Sequence, residues 1–139
     1  MDWKLELVVV PVSDVDRAKA FYADQLGFNV DVDDSPDEQV RIVQLTPPGS
    51  ACSIAIGTGL GEGVPGSLQG VQISVGDIEA AHAQLVERGV EVSPIRHVDR
   101  ESGGWVDGKG GDYNSFIFFS DPDGNGWSIQ ESPLLRNAK

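Results

Sequence analysis

Val12-Ser13-Asp14-Val15-Asp16-Arg17-Ala18-Lys19-Ala20-Phe21-Tyr22 has a weaker echo at Val75-Gly76-Asp77-Ile78-Glu79-Ala80-Ala81-His82-Ala83-Gln84-Leu85. Each copy follows a β-like run, carries a residue able to cap a helix, and continues with apolar residues at helical spacing. Each helix is stopped by a glycine, Gly27 in the first copy and Gly89 in the second, where a left-handed residue is wanted. A Pro/Gly turn and a further strand lie downstream of both, at Pro47-Pro48-Gly49-Ser50 and at Asp121-Pro122-Asp123-Gly124-Asn125. The chain reads as one module written twice, and a repeat of this kind usually cannot bury its apolar face alone.

Working outward from the first copy, residues 5–12 are rich in Val and Leu and read as a strand. The helix that follows has a buried stripe of Val15, Ala18, Phe21, Tyr22 and Leu26. Strands are expected at 28–33, 39–46 and 51–56, with Ser35-Pro36-Asp37 as the turn between the first two. The glycines from Gly57 to Gly70 mark a crossover. A phosphate-cradling loop is set aside, because no Gly-Lys-Ser/Thr follows and no helix opens behind it.

Around the second copy, 71–75 reads as a strand, and Asp77 caps a helix with the stripe Ile78, Ala81, Leu85 and Val86. A strand at 90–98 contains Pro94, which predicts an edge position or a bulge. Residues 100–111 read as a polar, glycine-rich loop carrying Trp105, and strands follow at 113–120 and 126–131. The expected organisation is one domain over 1–139, with module one at about 4–57, the crossover at 58–69, module two at about 70–131 and a mobile tail at 132–139.

The formal charge of −12 repels phosphate backbones and argues against a nucleic-acid partner. No apolar run approaches a membrane span, and Met1-Asp2-Trp3-Lys4 leads into a strand with no secretory pattern. The single Cys52 excludes an internal disulfide and suits a reducing, cytoplasmic location. The acidic run Asp31, Asp33, Asp34, Asp37 and Glu38 reads as a solvated hairpin end.

The pattern Val12, Ser13, Asp14, then Phe21, Tyr22, then Leu26, Gly27, Phe28, together with Asp121-Pro122-Asp123-Gly124-Asn125, resembles the vicinal oxygen chelate superfamily. That group includes glyoxalase I, bleomycin-resistance proteins and extradiol dioxygenases. The resemblance covers about 5–131 and implies an α+β fold, in which tandem βαβββ modules form a half-open eight-stranded barrel around a cleft. It also implies a homodimer. Function does not follow from fold alone. The positions at which metal-using members carry ligands correspond to Leu7, Gly70 and Ser128, with Ser53 or Ala55 as the remaining counterpart. Leucine and glycine offer no side-chain donor, and neutral serine is a poor ligand, so the metal site is read as lost and no cofactor is expected.

Strand alternation places Leu7, Val9, Gln72, Ser74, Ser128 and Gln130 on the face of the former ligand positions. Ile54, Ile56, Val71, Ile73, Trp127 and Ile129 fall on the face under the helices. A cleft of apolar walls and neutral hydrogen-bonding groups suits a small organic ligand, with Trp105 able to stack on a planar one. His97 is the one candidate general base, with Tyr113 as its companion. Three functions are consistent with these residues: a metal-free protein binding a small aromatic or antibiotic-like molecule, a metal-independent isomerase, lyase or cyclase using His97, and a divalent-metal enzyme with relocated ligands.

Overall fold

The computed structural model describes residues 1–136. It divides into two compact units. One comprises Met1–Leu68 with Asp121–Asn125, and the other Gln69–Ser120 with the described residues from Gly126 onward.

In the first unit the order is β1 (Leu7–Val9), α1 (Val15–Ala20), a π-helical turn (Phe21–Gln25), β2 (Asn29–Asp37), β3 (Val40–Thr46) and β4 (Ser53–Thr58). The sheet runs β1-β4-β3-β2, with β1 parallel to β4 and the other pairs antiparallel. Asp14 starts α1 by accepting a hydrogen bond from the Arg17 amide at 3.0 Å. The Leu26 amide closes the wider π turn on the Phe21 carbonyl, and Gly27 ends it at φ 78°. Val15, Ala18, Phe21 and Tyr22 are buried with Val43, Leu45, Ile54 and Ile56 of the sheet, as the periodicity predicts.

β2 does not stop before Ser35-Pro36-Asp37. It passes through them, and the turn falls on Glu38 and Gln39. A register irregularity between Asp34 and Asp37 on this outermost strand lets Pro36, which has no amide to donate, lie within it.

The second unit holds β5 (Val71–Val75), α2 (Ile78–Glu87), β6 (Arg96–Val98), β7 (Trp105–Asp107), β8 (Phe116–Ser120) and β9 (Gly126–Glu131), in the sheet order β5-β9-β8-β6-β7. Asp77 caps α2 through the Ala80 amide at 3.0 Å, and Gly89 terminates it at φ 79°. Trp127, Ile129, Ile117 and Phe119 are buried together with Ile78 and Leu85 of α2.

Two expectations are corrected here. The strand expected at 90–98 shortens to 96–98, because Pro94 interrupts the ladder and Ser93 bonds Phe118 through both backbone and hydroxyl. The stretch 100–111 is not all loop: Trp105–Asp107 forms β7 on the outer edge of β6, so the described residues contain nine strands and not eight. Pro133–Leu135 forms one 3-10 turn, and the part of the expected tail at 137–139 lies outside the described residues. The fold is α+β, built from two successive βαβ-containing modules. No helix among the described residues is long and apolar enough to cross a membrane.

Candidate functional site

The register of the second sheet sorts its side chains onto two faces. Gln72 pairs with Ser128 and Ser74 with Gln130 across β5 and β9. Phe116 lies opposite Gln130, and Phe118 opposite Ser128, across β8 and β9. Arg96 lies opposite Phe116 and Asp107, and Val98 opposite Trp105. Directly opposed residues share a face, so all of these side chains project from the side away from buried Trp127 and Ile129.

Two arrangements stand side by side on this face. The Phe116 and Phe118 rings lie nearly parallel, 6.3 Å apart, and the Trp105 indole stands perpendicular to both, at 5.4 and 5.3 Å. Trp105 keeps 52% of its surface exposed, an apolar area held in place and still open to a ligand. Beside it runs a hydrogen-bond relay. Ser128 Oγ donates to Gln72 Oε1 (3.2 Å), Gln72 Nε2 to Gln130 Oε1 (3.0 Å), and Gln130 Nε2 to the Tyr113 carbonyl (2.8 Å). Tyr113 holds φ 58°, a left-handed conformation uncommon for a tyrosine, and so presents its carbonyl to Gln130. The Arg96 side chain, on the same face, pairs with Asp107 at 3.3 Å.

Five of the residues singled out from the sequence, Gln72, Ser74, Trp105, Ser128 and Gln130, are thus brought onto one sheet face. Leu7 and Val9 belong to the first unit, where they share a face of β1 with Ser53 and Ala55 of β4. Val9 there borders a cavity of about 460 Å³, walled also by Pro11, Leu60, Glu62 and the glycines that follow β4. His97 is not with the Gln72 group. It alternates with Arg96 and Val98, opposes Val106, and directs Nδ1 to the Gly108 carbonyl at 2.9 Å. Tyr113 meets the relay through its backbone, and its side chain is exposed.

Phe116 and Phe118 were not singled out from the sequence. The signal was present in Phe116-Ile117-Phe118-Phe119, where two-residue alternation sends Phe116 and Phe118 to the side opposite Ile117 and Phe119. It becomes legible only once the register against Ser128 is known.

At the positions that the resemblance assigns to metal ligands stand Leu7, Gly70 and Ser128, with Ser53 or Ala55 as the remaining counterpart. Leu7 has no donor, and its neighbour Ser53 shares a 2.6 Å hydroxyl contact with Thr46. Gly70 has no side chain, and the Ser128 hydroxyl is engaged with Gln72. Among the described residues no group of three or more His, Cys, Asp or Glu side chains is placed to hold a metal.

A family model described as the Glyoxalase/Bleomycin resistance protein/Dioxygenase superfamily matches residues 4–129. The chain belongs to this superfamily. Solved glyoxalase/bleomycin resistance structures carry the same fold. TnmS3, an antibiotic binding protein from Streptomyces sp. CB03234, is 32% identical with a TM-score of 0.75, over 94% of this chain and 97% of its own. A glyoxalase/bleomycin resistance protein from the same strain is 33% identical, TM-score 0.71, over 91% and 99%. A superfamily member from Sphaerobacter thermophilus DSM 20745 is 29% identical, TM-score 0.74, over 94% and 98%. No curated protein matches the chain.

Proposed function

We propose that this glyoxalase/bleomycin resistance superfamily member binds a small planar aromatic, antibiotic-like molecule without a metal, and holds it rather than transforming it. The observation that carries this reading is the half-exposed Trp105 indole, braced by Phe116 and Phe118 beside the Ser128–Gln72–Gln130 relay. Affinity comes from covering aromatic surface, and orientation from the few polar groups next to it. The antibiotic-binding name of TnmS3 favours the same class of ligand. His97, on the opposite side of β6 from the relay, has no part in this reading.

Calorimetric titration with a panel of planar aromatic antibiotics, with and without chelator, tests it. Stoichiometric binding that survives chelator and falls in Trp105→Ala supports the proposal. Binding that needs added metal, or that ignores Trp105→Ala, overturns it. We further propose a cytoplasmic homodimer. Exposed Met1, Trp3 and Leu5 beside edge strand β1 favour pairing, and free Cys52 suits a reducing compartment. Light scattering on the eluting protein reads the mass directly.

A further inference from the structure

The relay on the open face of the second sheet has a direction, and the direction is not arbitrary. The Tyr113 carbonyl can only accept, so Gln130 must present Nε2 to it and turn Oε1 toward Gln72. Gln72 must then donate through Nε2, which leaves its Oε1 to receive the Ser128 hydroxyl proton. Every side-chain amide oxygen in the relay therefore already has a proton. Each amide nitrogen has a second N–H that the relay does not use. Once a ligand covers the relay, an unmet N–H is less tolerated than an unfilled second lone pair on an oxygen.

Arg96 strengthens the asymmetry. It carries further N–H groups on the same face, with only its Nε committed to Asp107. Among the described strand residues on that face the carboxylate is Asp107, which is 79% exposed at its side chain and is paired with Arg96. A ligand lying on Trp105 would thus meet the spare N–H groups of Gln72, Gln130 and Arg96, beside amide oxygens that each already accept one hydrogen bond.

We infer that the molecule bound on this face is a planar aromatic carrying carbonyl oxygens along the edge that meets Gln72 and Gln130, rather than amino or ammonium groups. This rests on the binding reading above and names its ligand chemistry. The overall acidity of the chain would by itself favour a cation. The local donor row selects the opposite polarity, and hydrogen-bond geometry acts at closer range than a salt-screened field.

The test uses three ring systems of nearly equal shape: fluorene, 9-fluorenone and 9-aminofluorene, titrated into the full-length protein by calorimetry. Fluorenone should bind about tenfold more tightly than fluorene, and aminofluorene no better than fluorene. The double variant Gln72→Leu/Gln130→Leu should erase the fluorenone advantage, so that fluorenone and fluorene bind alike. Trp105→Ala should weaken all three together. Equal binding of the three probes, or preference for the amine, overturns the inference and leaves the aromatic site standing. Failure of every probe to bind, with the variants folded by circular dichroism, overturns both readings.

Discussion

Tyr22 Oη donates to Asp121 Oδ2 at 2.7 Å, with both residues buried in the first unit. Asp121 also accepts from the Asn125 side chain at 2.8 Å and from the Asp123 and Asn125 amides at 3.0 and 2.9 Å. Four donors thus surround one buried carboxylate, the condition under which a buried charge is tolerated. Tyr22→Phe should cost about 1–2 kcal/mol by removing one charge-assisted bond. Asp121→Ala strands several donors at once and should cost more than Tyr22→Phe. Urea unfolding of the two variants ranks them.

Gly57 on β4 has no room for a methyl group. A Cβ there would sit 1.9 Å from the Arg41 carbonyl oxygen and 2.8 Å from Leu60 Cδ1. Gly57→Ala should lose about 3 kcal/mol, since strand backbone must move to admit it. Gly49→Ala is the control. Its φ of 82° is strained for alanine, but nothing lies within 4 Å of the added atom, so the loss should be about 1 kcal/mol. Thermal melts separate the two mechanisms.

Glu131 links the end of β9 to the start of α2. Its Oε2 accepts from the Ile78 amide at 3.0 Å and lies 3.3 Å from Lys109 Nζ. Hydrogen bonding to Glu131, more than any other influence, raises the Lys109 pKa. Glu131→Ala should cost about 2 kcal/mol by leaving a buried helix-start amide unpaired. Lys109→Met should change stability far less than Glu131→Ala, because its ammonium is open to water. Equal losses in the two variants would count against this division.

Asp33 gives the first unit an acid dependence. Hydrogen bonds from Arg41 and then Lys19 hold its carboxyl at about 2, against the ordinary 3.8. In the unfolded chain the group protonates near the ordinary value, while in the folded chain it stays ionised to lower pH. Its contribution is therefore complete above pH 3.8 and is lost as pH falls toward about 2. Asp33→Asn should melt below the parent at neutral pH, and the gap should close over that acid window. A gap constant with pH would refute the assignment.

Trp105→Ala should separate binding from folding. The indole packs on Phe116 and Phe118 but remains half exposed, so its loss should cost about 1 kcal/mol of stability. Ligand affinity should fall about tenfold, equivalent to about 1.4 kcal/mol. Paired melting and titration curves on one preparation measure both.

The repeat at Asp14 and Asp77 made most of the architecture legible in the sequence, because a capping carboxylate and a terminal glycine constrain local backbone directly. The same directness gave the buried stripe of α1 and the buried side of β9. What stayed hidden depends on pairing partners. Pro36 inside β2 is allowed only by an irregular register with β3, and Trp105 becomes a strand residue only by meeting Val98. His97 drew notice as the one candidate general base, yet its side is decided by Arg96 opposing Phe116. Alternation alone put Gln72, Ser74, Ser128 and Gln130 on one face, but the phenylalanines that brace Trp105 required knowledge of the strand opposite.

The irregular course of β2 has a bearing on self-association. An outermost strand normally offers a ladder of free amides and carbonyls to any neighbour that can lie flat against it. Here two register breaks, a proline and a row of aspartates spoil that template along its length. Growth of fibrils by stacking on this side is disfavoured, and concentrated solutions should stay clear of thioflavin-positive material for as long as β2 keeps its kinks and its charges.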